Sequence, residues 1–147
     1  MEPSARVAAN NDVAAVVSKA LKLEDFFPEF EADHLQKLFP RSGLYRYPLE
    51  APIIQQGETG RDLFVVYSGA VRVQQSFGTA AASLDTLGPG ALIGEIALLK
   101  DGRRTATVVA AAESQVFRLV FDDLQYILKN NEALGDHLRG LAEKRLK

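Results

Sequence analysis

The 147-residue sequence contains no cysteine. Disulfides, thiolate metal sites and cysteine nucleophiles are therefore all excluded. The absence of cysteine is also typical of a reducing compartment, and we expect a cytoplasmic protein.

The sequence also lacks an excess of positive charge and any long apolar run. Its formal net charge is −2, so no positive field would draw the chain onto nucleic acid or anionic lipid. No apolar run reaches the roughly 18 residues of a membrane-spanning helix. Glu2, Asp12 and Lys19 interrupt the N-terminal segment where a secretory signal would need an apolar core. We therefore expect no membrane partner, and no DNA binding by this chain alone.

Apolar residues at helical spacing predict helices at both ends of the chain. The first helix would be capped by Asn11 or Asp12, and the second would follow Pro28 and end near Pro40. A further pair of helices is predicted from Phe121 onward. The apolar positions that mark the four helices are Val13, Val16, Val17, Ala20, Leu21, Leu35, Leu38, Phe39, Leu124, Ile127, Leu128, Leu134, Leu138 and Leu141.

Between residues 41 and 120 the sequence changes to short β-rich runs separated by glycine and proline. Glycines at roughly even intervals suit a roll or barrel with tight corners better than a parallel sheet. We predict an α+β fold, namely an antiparallel, jelly-roll-like β-roll with flanking N- and C-terminal helices. The whole chain, 1–147, would be one domain, with helices in 1–40, the roll in 41–120 and helices in 121–147.

The segment from Leu87 to Val108 has the composition of an anion-binding site. A glycine-rich turn leads into a very short predicted helix, whose first N–H groups have no partner within the helix and can bind a phosphate. Arg104 follows on the next predicted strand, and its planar guanidinium can hold two phosphate oxygens at once. The carboxylate of Glu95 could accept hydrogen bonds from sugar hydroxyls. Together these groups favour a ligand that contains phosphate and ribose.

This segment resembles the phosphate-binding cassette of the cyclic-nucleotide-binding domain family. The family pattern Gly-Glu-x-Ala-Leu is present at Gly94–Leu98, and the pattern Arg-(Ser/Thr/Ala)-Ala-x-Val is present at Arg104–Val108. A second family element resembles residues 57–66 and 69–73. With the flanking helices, the resemblance covers roughly residues 23–147.

The resemblance implies a role for each matching residue. Arg104 would bind the exocyclic phosphate oxygens and Glu95 the ribose 2′-hydroxyl, while the N–H groups of Ala97 and Thr105 complete the phosphate cradle. Val73 and Leu84 match apolar positions that face the purine. The predicted ligand-binding residues are Val73, Leu84, Ile93, Gly94, Glu95, Ile96, Ala97, Arg104, Thr105 and Ala106.

The resemblance does not decide which cyclic nucleotide is bound, and the sequence departs from the family pattern at two places. Thr105 could add a contact that favours guanine in some relatives, but many cAMP-binding relatives also carry Ser or Thr there, so the choice between cAMP and cGMP stays open. Arg61 stands where the family often has Asp, with Asp62 beside it, and Ala91 replaces a frequent Asp. Neither departure is expected to touch the ligand.

Three functions are consistent with the sequence, and none is enzymatic. The first is a sensor that binds cAMP, or as the second choice cGMP, and repositions its C-terminal helices to control an unknown protein partner or fused effector. The second is a structural or protein-interaction module that keeps the fold without binding nucleotide, and the third is the sensor half of a transcription regulator. A homodimer could form through the C-terminal helix. No metal or cofactor is expected, because His34 and His137 lack the spacing of a cupin metal site.

Overall fold

The computed structural model describes residues 6–77, 80–94 and 103–146, which form four helices and nine strands. None of the helices within these ranges is long and apolar enough to cross a membrane. The helices are α1 (Asn11–Leu21), α2 (Ala32–Leu38), α3 (Phe121–Asn130) and α4 (Glu132–Leu146). The strands are β1 (Arg6–Val7), β2 (Gly43–Tyr47), β3 (Pro52–Ile54), β4 (Leu63–Ser68), β5 (Val71–Phe77), β6 (Ala80–Leu87), β7 (Leu92–Ile93), β8 (Thr107–Ala110) and β9 (Ser114–Leu119).

The strands form two antiparallel sheets. The helix-side sheet has the order β1-β2-β9-β4-β7, and the outer sheet has the order β3-β8-β5-β6. Every strand pairing is antiparallel. The predicted α+β class, with an antiparallel β-roll between N- and C-terminal helices, is confirmed.

The side chains of β4 alternate between the two faces of the strand, and each face packs in a different apolar core. Leu63 and Val65 pack in the core between the helices and the helix-side sheet, together with Phe117 of β9. Phe64 and Val66 pack on the opposite face, in the core between the two sheets. The first four residues of β4 are therefore buried, which explains why this run of the sequence is apolar without a break.

The N-terminal cap of α1 differs from the prediction. Asn10, rather than Asn11 or Asp12, is the cap residue, and its side chain accepts a hydrogen bond from the Val13 N–H at 3.0 Å. The Asn11 side chain instead accepts from the N–H of Ala32 at 2.9 Å. Asn11 therefore joins the first residue of α1 to the first residue of α2.

Two strands have little strand signal in the sequence. Strand β1 has only two residues, and β6 is rich in alanine with no apolar alternation. Strand β6 lies at the edge of the outer sheet and is largely exposed, so its sequence needs no buried face. Its pairing with β5 fixes its conformation, which is a tertiary effect that local propensity does not report.

A buried hydrogen-bonded cluster fixes the start of α3 against the segment before β2. The Ser42 hydroxyl donates to the Asp123 carboxylate at 2.7 Å and accepts from the Val120 N–H at 3.0 Å. The same carboxylate oxygen accepts from the Arg41 N–H at 2.9 Å. Asp123 is only 3% exposed, so these donors and the N-terminus of its own helix replace the hydration that its carboxylate loses on burial.

Ser42→Ala should destabilise the fold, because it leaves a buried carboxylate and a backbone N–H each short of one partner. We expect a loss of about 1–3 kcal/mol in the free energy of unfolding, measured by chemical denaturation. Ser83→Ala on the exposed edge strand is the matched control and should stay within about 0.5 kcal/mol of the parent. Equal effects of the two substitutions would contradict this role for Ser42.

Candidate functional site

The segment that carries Arg104 is paired with the loop before β4. The Arg104 N–H donates to the Glu58 carbonyl at 2.9 Å, and the Arg104 carbonyl accepts from the Gly57 N–H at 2.8 Å. Arg103 and Thr59 form a further bridge beside them. The two sequence motifs, separate along the chain, therefore lie next to each other in the fold.

The Arg104 guanidinium is half-buried between two glycines. A Cβ atom at Gly60 would lie 3.2 Å from its Nε, and one at Gly94 would lie 2.9 Å from its Nη1. Its Nη2 donates to the backbone carbonyl of Asp62 at 2.9 Å. These contacts hold the guanidinium at the mouth of the roll, next to the first residue of the predicted cassette.

Partial burial also changes the electrostatics of this guanidinium. Burial lowers the pKa of Arg104, the Asp62 carboxylate raises it again, and the nearby Arg118 lowers it. An arginine nonetheless stays protonated at neutral pH. The site therefore holds a partly desolvated positive charge, which is the counter-charge that a phosphate needs.

Gly94 adopts a backbone conformation that suits glycine. It follows β7 directly with φ of +88°, and an added Cβ would also lie 3.0 Å from the Asp62 carbonyl. A residue with a side chain would be strained in this conformation and would also press on the groups that hold Arg104. The positive φ and the close contacts thus explain why the first residue of the predicted cassette is a glycine.

Asp62 is the main residue of the site that the sequence analysis did not select. One carboxylate oxygen accepts from the Phe121 N–H at 2.7 Å, and the other accepts from Arg118, at 2.8 Å from Nε and 2.6 Å from Nη2. The neighbouring Arg61 places its guanidinium carbon 4.2 Å from the centre of the Phe121 ring. The only signal in the sequence was the departure from the family pattern at residues 61 and 62.

A cavity of about 260 Å³ opens beside Arg104 at the end of the roll. Its wall includes Tyr47, Phe64, Arg104 and Arg118. Burial raises the pKa of the Tyr47 phenol, an effect that Arg118 opposes, so Tyr47 is a neutral hydroxyl at physiological pH. A cavity of about 570 Å³ between α2 and α3 contains none of the predicted ligand-binding residues. Chemistry rather than cavity size therefore identifies the candidate site.

The two residues expected near the purine lie on the β5–β6 hairpin. Val73 is half-buried against the core between the sheets. Leu84 is 53% exposed and lies where the register shifts, since Val73 pairs with Asp85 and Gln74 with Ser83. Such a shift redirects side chains in the way that a β-bulge does. Leu84 is thus an exposed apolar side chain, and its contact with a base stays a prediction.

Of the remaining predicted residues, three lie near Gly94 or Arg104 in the described part of the chain. Ile93 is buried in the core between the sheets, Ala106 is half-buried, and Thr105 is exposed with its carbonyl accepting from Gln75 Nε2 at 2.9 Å. The structure thus places Gly94 and Arg104 in direct proximity. The other predicted residues, Glu95, Ile96 and Ala97, lie outside the described residues.

Both histidines have partners within the helical part of the fold. His34 Nδ1 accepts from the Glu31 N–H at 3.0 Å as part of a capping box at the start of α2. His137 Nε2 donates to the Leu21 carbonyl at 2.9 Å, and its ring lies 5.0 Å from that of Phe26. These contacts give both side chains a structural role remote from Arg104.

Comparison with known proteins gives a consistent result. Residues 45–131 match the family model of the cyclic nucleotide-binding domain. The cyclic AMP receptor protein of Thermus thermophilus is 34% identical over 102 residues, which are 69% of this chain and 47% of that protein. The chain therefore spans about half the length of this relative.

Solved structures show the same likeness. The catabolite activator protein of Thermus thermophilus aligns with a TM-score of 0.66 and 30% identity, over 78% of this chain and 54% of that one. The sensor domain of the transcriptional regulator DNR from Pseudomonas aeruginosa aligns with a TM-score of 0.70 over 92% of this chain and 91% of that one. Its identity is 23%, so this second likeness concerns the fold alone.

Gly94→Ala should reduce stability, because a left-handed conformation costs an L-residue about 1–2 kcal/mol and the added methyl would press on Arg104. We expect at least that loss in the free energy of unfolding, measured by chemical denaturation. Gly140→Ala is the control of opposite sign. Gly140 lies within α4 with open space around an added Cβ, so its replacement should stabilise the fold by about 0.5–1 kcal/mol. A neutral or stabilising Gly94→Ala would contradict the close packing of Gly94 against Arg104.

Proposed function

The chain belongs to the cyclic nucleotide-binding domain family, and on that premise we propose that it is a non-enzymatic sensor of cAMP, or as the second choice of cGMP. The observation that carries the proposal is the position of Arg104. Its charge is partly desolvated and held between Gly60 and Gly94 by contacts within the chain itself. Preorganised donors bind an anion better than mobile ones, because less side-chain freedom is lost on binding.

The donors of Arg104 suit a cyclic phosphate. A guanidinium has five N–H donors in a fixed plane, and within the described part of the chain Nη2 uses one of them on the Asp62 carbonyl. Nη1 lies beside Gly94, where the predicted cassette begins. We propose that donors on this side bind the exocyclic phosphate oxygens, that Glu95 binds the ribose 2′-hydroxyl, and that the N–H groups of Ala97 and Thr105 complete the cradle.

The preference for cAMP rests on the similar protein rather than on a base-specific group. The relative from Thermus thermophilus is named a cyclic AMP receptor protein. Val73 and Leu84 offer apolar contact that either purine could use. The exposed Thr105 is the one predicted residue whose hydroxyl could favour guanine, which is why cGMP remains the second choice.

The proposed output of the sensor is a change in the position of the helices after Phe121. A ligand shifts such an equilibrium only by its different affinity for the two states, so the site must be physically connected to α3. We propose that α3 and α4 act on a protein partner or a fused effector, as in a transcription regulator. The prediction of a homodimer through the C-terminal helix, the one-domain layout and the cytoplasmic location remain part of this proposal.

Saturating cAMP should raise the thermal stability of the protein. A ligand that binds only the folded state adds about 2.7 kcal/mol at a hundredfold excess over its dissociation constant. The measurement is a thermal melt with cAMP, cGMP and linear 5′-AMP, the last as the control without a cyclic phosphate. If neither cyclic nucleotide changes Tm at millimolar concentration, the hypothesis of a non-binding interaction module replaces the hypothesis of a sensor.

Arg104→Ala should weaken cAMP binding by about 2–5 kcal/mol, because the phosphate would lose a partly buried counter-charge. Arg104→Lys should recover only part of this loss, since lysine keeps the charge but lacks the planar fork. Isothermal titration calorimetry on the folded variants measures both. Arg103→Ala is the matched control: its exposed guanidinium donates to the Gly57 carbonyl at 3.0 Å, so the same charge is removed one residue away.

The same titrations compare Arg104 with Glu95. A hydrogen bond between a carboxylate and a neutral hydroxyl contributes about 1.5–3 kcal/mol, so Glu95→Gln should weaken binding less than Arg104→Ala does. Arg103→Ala should bind cAMP nearly as tightly as the parent. The site assignment is wrong if Arg104→Ala binds as tightly as Arg103→Ala.

A further inference from the structure

Asp62 makes contacts in three parts of the molecule. Its backbone carbonyl accepts from Arg104, the predicted phosphate ligand, at 2.9 Å. Its carboxylate accepts two bonds from Arg118 on β9 and one from the N–H of Phe121 at 2.7 Å. Phe121 is the first residue of α3. A single residue thus connects the phosphate site to the helix proposed to carry the signal.

The contact with Phe121 replaces a cap that α3 does not provide itself. Val120 occupies the N-cap position and makes no side-chain cap hydrogen bond. The carboxylate of Asp62 supplies the missing acceptor from another part of the chain, and its negative charge also suits the helix N-terminus. Arg61 adds its contact with the Phe121 ring. Residues 61 and 62 therefore hold the first residue of α3 by both its N–H and its ring.

The Arg104 guanidinium contacts Asp62 through one nitrogen and lies beside the predicted cassette with another. Nη2 donates to the Asp62 carbonyl, and Nη1 lies beside Gly94, where the predicted cassette begins. Because the guanidinium is planar and rigid, an anion that fixes Nη1 also restrains Nη2. Restraining Nη2 restrains the backbone of Asp62, and with it the carboxylate that holds Phe121.

We propose that Asp62 is the positioning residue that couples cyclic nucleotide binding at Arg104 to the first turn of α3. The inference rests on the proposed function and adds the route by which the ligand acts on the helix. It gives the effect a direction: bound nucleotide tightens the hold of Asp62 on Phe121, so the Phe121 N–H opens less often.

The Phe121 amide is itself the reporter of this contact. Hydrogen exchange of that amide, followed by NMR with and without saturating cAMP, measures how often its bond to Asp62 opens. In the parent protein we expect cAMP to slow exchange at Phe121 at least threefold more than at Ile127, which lies later in the same helix. The measured quantity is the ratio of the slowing by cAMP at Phe121 to the slowing at Ile127. In Asp62→Ala this ratio should fall to about one, with saturation by cAMP confirmed by calorimetry.

Two further variants separate coupling from a general loss of stability. Asp122→Asn removes an exposed carboxylate from the same first turn without touching Arg104 or Arg118, and it should keep the parent ratio. Asp62→Asn preserves the shape and one acceptor oxygen but not the ion pair with Arg118, so its ratio should lie between those of Asp62→Ala and the parent. Asp62→Asn also serves as the test if Asp62→Ala does not fold.

The outcomes distinguish the inference from the function beneath it. If calorimetry detects no binding of cAMP or cGMP to the parent, both the proposed function and the coupling are wrong. If the parent binds nucleotide but exchange at Phe121 slows no more than at Ile127, the sensor site stands and the coupling through Asp62 is overturned. The coupling is also overturned if both Asp62→Ala and Asp62→Asn keep the ratio of the parent. Where Asp62→Ala does not fold, a parent-like ratio in Asp62→Asn alone overturns it.

Discussion

The register between β4 and β9 is the constraint on which the rest of the site depends. Leu63 pairs with Leu119 and Phe64 with Arg118. The first pair packs under the helices, and the second lies at the cavity beside Arg104. A shift of one residue would exchange these faces, burying Arg118 under the helices and moving Leu119 to the face that carries the cavity. The apolar core thus fixes the register, and the register brings Asp62, just before β4, close to Phe121, just after β9.

The same constraint explains how a positive charge can be kept partly buried at the mouth of the roll. Removing a guanidinium from water is costly unless polar partners replace the lost hydration. Among the described residues, the Arg118 guanidinium contacts the Asp62 carboxylate, whereas the Arg104 guanidinium donates to the backbone carbonyl of that residue. Burial lowers the pKa of Arg104, although the Asp62 carboxylate opposes this effect. In the proposed function, an anionic ligand would add a further partner for this partly buried charge beside Gly94, where the cassette motif begins.

The sequence analysis selected Arg104 but not Asp62, whose carbonyl accepts a hydrogen bond from its guanidinium. Gly94 and Arg104 were predicted because a short motif carries them, and the β-roll was predicted because glycines punctuate short apolar strands. Asp62 was not selected, because its partners Arg118 and Phe121 are 56 and 59 positions away along the chain. No local pattern reports a contact of that range. Strand β6 is hard to recognise in the sequence for a related reason, since its pairing with β5 rather than its own composition makes it a strand.

The start of α3 has two anchors that differ in their relation to the site. Asp62 holds Phe121 and is in contact with Arg104, whereas Ser42 and the Arg41 N–H hold Asp123 from the segment before β2. The second anchor lies only two residues along the helix and is almost fully buried. A helix released at Phe121 alone would therefore stay attached at Asp123, and its first turn could only rotate about that point. Such a rotation moves the far end of α3, and with it α4, further than it moves Phe121. In the proposed sensor, this arrangement would convert a small change at Arg104 into a larger displacement of the C-terminal helices while Asp123 keeps them attached to the roll.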